Sequence, residues 1–232
     1  QECDTVGITR CCAKHNYLVT DVEDLARTIH EAFLIATSGR PGPVVIDIPK
    51  DVQFSTGTYI GKEGVFKPTY QPKTEPSKHA IRDALALMKA ARRPVFYTGG
   101  GVVNSGPEAS KLLRELQAAT GFPLTSTLMG LGAFPASHED WLGMVGMHGA
   151  YEANHAMHDC DLMICVGARF DDRVTGKISA FSPGSKKIHI DIDPSSINKI
   201  IRVDVPIVAD CKAALQALLD GWKKSRTKAP DI

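Results

Sequence analysis

The stretch VGARFDDRVTGK, residues 166–177, runs from an apolar segment straight into Arg169, Asp171, Asp172 and Arg173. Four opposed charges this close together suit either a solvated turn whose charges cancel or a polar cluster facing a charged ligand. Comparable material follows other apolar runs: Gly99-Gly100-Gly101, Thr127-Leu128, Gly167-Ala168-Arg169, Asp191-Ile192-Asp193 and Asp210. Small residues let backbone N–H groups approach a phosphate, and the start of a following helix adds a favourable dipole. An acid at a strand end can accept hydrogen bonds from ribose hydroxyls. Together these residues outline a dinucleotide site. Against this, GGGVVNSG lacks the third glycine of G-x-G-x-x-G, and capping a turn before PSSINK is the more usual role for aspartates placed as Asp191 and Asp193 are. The repetition of the pattern favours the ligand reading.

Other chemistry-bearing residues are less specific. His155 and His158 fall on one helix face with Cys160 close by, but no carboxylate or second cysteine pair completes a tetrahedral zinc set. Surface histidines are expected there, and no metal site. His148, in the turn GMHG, is a better ligand contact. Arg40 sits in the Gly/Pro-stiffened turn SGRPGP and Lys50 at the end of the next strand. An anchored guanidinium loses less entropy when it meets phosphate.

The elements that must carry these residues read as helix–strand alternation. TDVE, residues 20–23, predicts a capping box with Thr20 as N-cap, followed by a helix with Leu25, Ile29 and Phe33 on its apolar stripe. PVVIDIP, 43–49, predicts a strand. Residues 51–76 have three Gly, three Pro and no sustained period, which reads as a linker or boundary. Beyond it, Ser77 caps a helix with Ile81, Ala84, Leu85 and Met88 on one face. Strands are expected at 94–101, 123–128, 161–168, 186–194 and 205–210, and helices at 107–120, 150–159 and 211–224. Such alternation argues for a parallel sheet covered on both sides, whose strand ends share one ligand-bearing edge.

Composition narrows the function. With 27 basic against 26 acidic residues and no basic block, nothing advertises nucleic acid as a partner. No apolar run is of membrane-spanning length. The six cysteines show no framework spacing, so reduced thiols in a cytoplasmic setting are expected. The opening QECDTVGITR reads like the middle of a longer chain.

GITRCCAKHNYLV, ATSGRPGPVVIDIPKDVQ, STLMGLGAFP, GMHG, GARFDDRVTGK and HIDIDP occur in this order. Together they resemble the catalytic subunit of acetohydroxyacid synthase (acetolactate synthase), a thiamine-diphosphate family. The resemblance covers almost the whole chain. It implies an α/β fold: a doubly wound, parallel, six-stranded sheet with helices on both faces, preceded by an incomplete α/β segment. Residues 1–52 would be the tail of a pyrimidine-binding domain, 53–76 a linker and 77–232 a central FAD-binding domain. The implied FAD contacts are Arg40, Gly100, Thr127, Leu128, Val145, Gly146, Met147, His148, Gly167, Ala168, Arg169, Phe170, Asp171, Asp191, Ile192, Asp210 and Cys211. Gln1, Lys50, Met147 and Arg173 would line the substrate channel, Arg173 aimed at the carboxylate of a second 2-oxo acid. The implied reaction decarboxylates pyruvate and condenses the two-carbon unit with that acceptor. The activating glutamate and the G-D-G motif for thiamine diphosphate and Mg2+ are expected outside this chain, which would be inactive alone. A homo-oligomer with a regulatory subunit is the implied assembly, and the flavin is implied to be structural. The rival readings are a stand-alone NAD- or ADP-binding regulatory module of the same fold, and a structural domain with an empty flavin site.

Overall fold

The computed structural model describes residues 3–61, 63, 67 and 69–225. Gln1 lies outside the described residues. The chain divides into two compact units, with the boundary after Pro72.

In the first unit α1 (Thr5–Thr9) leads to β1 (His15–Leu18), which pairs in parallel with β2 (Val44–Asp47). Between them runs α2 (Val22–Thr37), and α3 (Lys50–Phe54) follows β2. The expected cap moves by one residue: Asp21, not Thr20, is the N-cap of α2, its carboxylate accepting from the Glu23 N–H at 3.0 Å. The expected stripe is also displaced. Thr28, Glu31, Ala32 and Ile35 are buried while Phe33 is 67% exposed. A strict four-residue step drifts off a face that turns by about 100° per residue, whereas spacings of three and four alternate back onto it. Glu31 is the polar centre of this unit, accepting from Tyr17 Oη at 3.0 Å, Arg27 Nη1 at 2.9 Å and Lys67 Nζ at 3.0 Å. Burial alone would raise its carboxyl pKa; the bonds from Lys67, Tyr17 and Arg27 outweigh burial and hold it below the ordinary range.

The second unit is a six-stranded sheet between helical layers. In chain order its elements are α4 (Lys78–Ala90), β3 (Pro94–Thr98), α5 (Gly100–Asn104), α6 (Pro107–Thr120), β4 (Leu124–Ser126) and β5 (Trp141–Met144). They continue with α7 (Tyr151–Asp159), β6 (Leu162–Val166), α8 (Asp172–Thr175), β7 (Lys186–Asp191), β8 (Val205–Val208) and α9 (Cys211–Lys224). The strand order is β5-β4-β3-β6-β7-β8 and every pairing is parallel. The strand β5 was not legible from periodicity, and the Gly-rich segment after β3 is a short helix rather than a plain turn. The outer strands are short. β8 carries Pro206, and the β4–β5 register shifts between Leu124 and Ser126 beside Gly143, whose φ is +96°.

Successive side chains along a strand alternate between faces, and the two faces differ in kind. One takes Phe96, Leu162, Ile164, Val166, Ile188 and Ile190 against Met88 of α4, Leu113 and Leu116 of α6, and Leu215 and Trp222 of α9. The other takes Val95, Tyr97, Met163 and Cys165 against Met157 of α7, Phe170 and Ile201. Ser77 occupies the N-cap position of α4 but its hydroxyl makes no capping bond. Helix α6 starts with Pro107 and ends at left-handed Gly121, the asymmetry that fixes φ at the first turn and relieves Cβ strain at the last. Among the described residues no helix is long and apolar enough to cross a membrane.

Candidate functional site

Because all six strands of the second unit are parallel, the loops after Thr98, Ser126, Met144, Val166, Asp191 and Val208 leave from one rim. From β3 the chain winds outward to β4 and β5; it then returns to β6 beside β3 and winds the other way to β7 and β8. A crevice forms at such a reversal, outside the strands' carboxyl ends. Here that reversal falls between the loops after β3 and β6.

Those two loops touch backbone to backbone. The Gly101 N–H donates to Gly167 O at 2.9 Å, and a Cβ on Gly101 would come within 2.6 Å of Gly167 Cα. Gly167 itself has φ +59°. These glycines are therefore required by close packing between the two loops, whether or not a ligand lies beside them.

From Gly167 the chain forms a strap across the rim. Phe170 is 5% exposed, its ring packed against Tyr97, Phe181 and His189. Arg169 on one side of it is exposed and pairs with no carboxylate among the described residues. Asp171 is the N-cap of α8, accepting from the Arg173 N–H at 3.2 Å, while Thr175 Oγ1 donates to its carbonyl at 3.0 Å. The Arg173–Asp172 pair is loose, 3.9 Å apart with both side chains more than 70% exposed, and such a pair holds neither group firmly.

The loop after β5 joins this strap. Met147 N–H donates to Arg173 O at 2.9 Å. Asn154 of α7 clips the same loop from below: its Oδ1 accepts from Gly146 N–H at 3.0 Å, and its Nδ2 donates to Gly146 O at 3.1 Å and to Ala150 O at 3.0 Å. Val145 is buried, whereas Met147 and His148 are exposed. A cavity of about 290 Å³ opens between α7 and residues 174–182, walled by Val145, Met157, Val174 and Phe181 with Lys177 also lining it.

The remaining expected residues divide by role. Gly100 is half-buried against Met129 and Leu128 is 67% exposed. Thr127 Oγ1 accepts from the Gly130 N–H at 3.1 Å. Asp191 is 8% exposed and its Oδ1 accepts from Asp193 N–H at 2.9 Å, with Ile192 between them half-buried. Asp193 caps the following turn through Ser195 N–H at 2.9 Å. Asp210 caps α9 through Lys212 N–H and accepts from Ser105 Oγ, both at 2.9 Å. Ala168 and Cys211 are buried, and burial pushes the Cys211 thiol up to about 12. Arg40 and Lys50 are exposed residues of the first unit; the Lys50 ammonium lies 5.7 Å from the Phe54 ring centroid. His155 and His158 are exposed, His155 stacked on Tyr151 at 4.1 Å.

Tyr97, Asn154 and His189 were not expected to matter. The signal for His189 was present: in KKIHID the polar residues recur at every second position of a strand flanked by others on both sides, which marks a polar rung inside the protein.

This is a doubly wound α/β domain with its open rim at a strand-order reversal. The description "Thiamine pyrophosphate enzyme, central domain" belongs to the family model that matches residues 81–218, and the chain belongs to that family. It is 46% identical over 222 residues to the acetolactate synthase isozyme 3 large subunit of Escherichia coli, covering 95% of this chain and 38% of that protein. It is 50% identical over 219 residues to the acetolactate synthase of Mycobacterium bovis, covering 94% and 35%. It is 45% identical over 232 residues to the acetolactate synthase large subunit of Corynebacterium glutamicum, covering 100% and 37%. The chain therefore spans well under half the length of these relatives.

Proposed function

We propose that this chain is the flavin-binding part of an acetolactate synthase catalytic subunit, with FAD lying along the rim of the second unit. The observation that carries the reading is the reversal of strand order between β3 and β6, with exposed Arg169 beside it and free of any carboxylate among the described residues. A pyrophosphate needs a cation at such a crevice, and a guanidinium fits it with two parallel N–H groups. Asp191, at the carboxyl end of β7, is suited to a ribose hydroxyl. The loops bearing Gly100, Thr127, Leu128, Val145–His148, Gly167–Asp171, Ile192, Asp210 and Cys211 complete the flavin wall, those with capped or buried side chains through their backbone; Arg40 is assigned to the same cofactor.

In the whole protein, thiamine diphosphate with Mg2+ supplies the electron sink for loss of carbon dioxide from pyruvate. The residues of this chain bind and orient. Arg173, exposed and only loosely paired, is assigned to the carboxylate of the acceptor 2-oxo acid, with Gln1, Lys50 and Met147 along the same channel. A bidentate guanidinium–carboxylate pair contributes on the order of 1.5–3 kcal/mol. No catalytic group is assigned to this chain, and the flavin is assigned a structural role. Two of the relatives are named large subunits, which supports a regulatory small subunit beside a homo-oligomer; a cytoplasmic setting accompanies this reading.

The deciding experiment is to purify the intact protein, denature it and identify the released cofactor by chromatography. FAD supports the proposal. NAD or ADP would replace it with a regulatory nucleotide module, and a folded protein that takes up no FAD on titration would end it.

A further inference from the structure

We infer that Tyr97 and His189 are positioning residues for the rim, setting from inside the sheet where the Arg169 side chain leaves the strap. This rests on the flavin reading above. Tyr97, Cys165 and His189 are register partners on the adjacent strands β3, β6 and β7, so they form one rung on one face, and each is 0% exposed. All three reach the same two carbonyls. Tyr97 Oη donates to Arg169 O at 2.8 Å, His189 Nε2 lies 2.9 Å from Ala168 O, and Cys165 Sγ donates to Ala168 O at 3.2 Å. Phe170 closes the arrangement from above, its ring centroid 5.8 Å from that of Tyr97 and 5.2 Å from that of His189.

The neighbouring rung shows what plain packing would use. Phe96, Ile164 and Ile188 are also register partners on these strands, are equally buried, and are entirely apolar. A hydroxyl and an imidazole buried in place of such residues are costly unless hydrogen-bonded, and here their bonds go to the strap. The bond to Ala168 O requires the Nε2–H tautomer. That leaves Nδ1 as a buried acceptor with no partner among the described residues, so His189 is held for the Ala168 contact at the expense of its other nitrogen. Burial lowers its pKa, with the Ala168 bond and Asp191 at 3.7 Å opposing, which keeps the ring neutral under the strap. The carbonyls of the two peptides that flank the Arg169 Cα are thereby fixed in height, and Arg169 projects from a clamped backbone.

The test uses the full-length protein, with FAD affinity followed by flavin fluorescence and amide hydrogen exchange followed across residues 167–173. Tyr97→Phe removes one donor and only the hydroxyl's small volume; loss of one such bond corresponds to a rise in FAD Kd of about 3- to 10-fold. His189→Leu should weaken FAD at least as much, and His189→Gln should restore part of the loss because an amide N–H can replace Nε2–H. Exchange across the strap should accelerate in Tyr97→Phe and His189→Leu. Trp222→Phe is the control. It deletes the Trp222 Nε1–H bond to Ala119 O at 3.0 Å on the opposite face, and should lower Tm while leaving FAD affinity and strap exchange unchanged. Tyr97→Phe and His189→Leu proteins that bind FAD within about twofold of the parent overturn the inference while the flavin reading stands. A parent that takes up no FAD ends the flavin reading; strap exchange then decides alone, faster exchange supporting the clamp and unchanged exchange overturning it.

Discussion

The two faces of the six-stranded sheet are built from the same strands but differ in the groups they bury. On one, Phe96, Ile164 and Ile188 meet Met88, Leu113 and Trp222, and the strands bury no ionisable side chain there among the described residues. The opposite side of the same strands buries Tyr97, Cys165, Lys187 and His189. Desolvation pushes the Tyr97 and Cys165 pKa values up and the Lys187 and His189 values down, so burial drives all four toward the neutral form. Lys187 Nζ donates to Ser182 O and Ser185 O at 3.0 Å each, as Tyr97 and His189 engage the strap. One face thus supplies cohesion, while the other gives up some apolar burial to hold loops in place.

The largest expected effect is on the apolar face. Ile164→Ala should cost about 2–5 kcal/mol in denaturant unfolding, by lost transfer energy plus a cavity. The FAD affinity of its folded fraction should stay at the parental value, and a parallel loss of affinity would dissolve the division between the faces. Next comes the rim itself. Arg169→Gln should weaken FAD by about 10- to 100-fold, the range of a charge-assisted hydrogen bond of 1.5–3 kcal/mol, with little change in the denaturation midpoint. Equal FAD Kd values would remove Arg169 from the pyrophosphate.

A smaller effect concerns the acceptor handling proposed for the whole protein. Arg173→Lys should raise the acceptor KM by about tenfold while flavin content holds, because an ammonium lacks the planar fork. Unaltered acceptor kinetics would release Arg173 from that role. On the polar-bearing face, His189 provides a pH signature. Its folded pKa lies below the ordinary 6.5, so the unfolded chain binds a proton that the folded chain refuses. Stability must then be complete above about pH 6.5 and decline as pH falls below it. His189→Gln should flatten that part of the curve in urea midpoints measured from pH 7 downward. The smallest effect is at Asp172. Asp172→Asn should leave the midpoint unchanged within error, since its pair with Arg173 is long and exposed.

Much of this architecture was legible because a parallel sheet makes strand ends converge regardless of sequence separation. Strands β3 and β6 are buried on both sides and announce themselves as apolar runs, β7 shows an alternation of polar and apolar residues, and α6 is bracketed by Pro107 and Gly121. By contrast β1 and β5 are four residues long and only half-buried, too short for alternation to stand out. At the rim, Asp171, Asp193 and Asp210 each accept an N–H two residues on, so residues that read as ligand contacts also serve as caps. An aspartate after a strand is suited to both, and spacing cannot separate them. Tyr97 escaped notice for another reason: the KKIHID alternation marks His189 as a buried polar residue, but that it shares a rung with Tyr97 follows from a register across three strands, which no local window contains.

The outer strands of the sheet bear on how copies of this protein can meet. Pro206 lacks an N–H to offer a neighbour, and the opposite border is broken by Gly143 and a shifted register. Neither border presents the long, even row of backbone groups onto which another chain could add a strand. Any association of copies through this sheet would therefore use side-chain surfaces, whose specificity mutation can tune, and the sheet itself is protected from open-ended stacking.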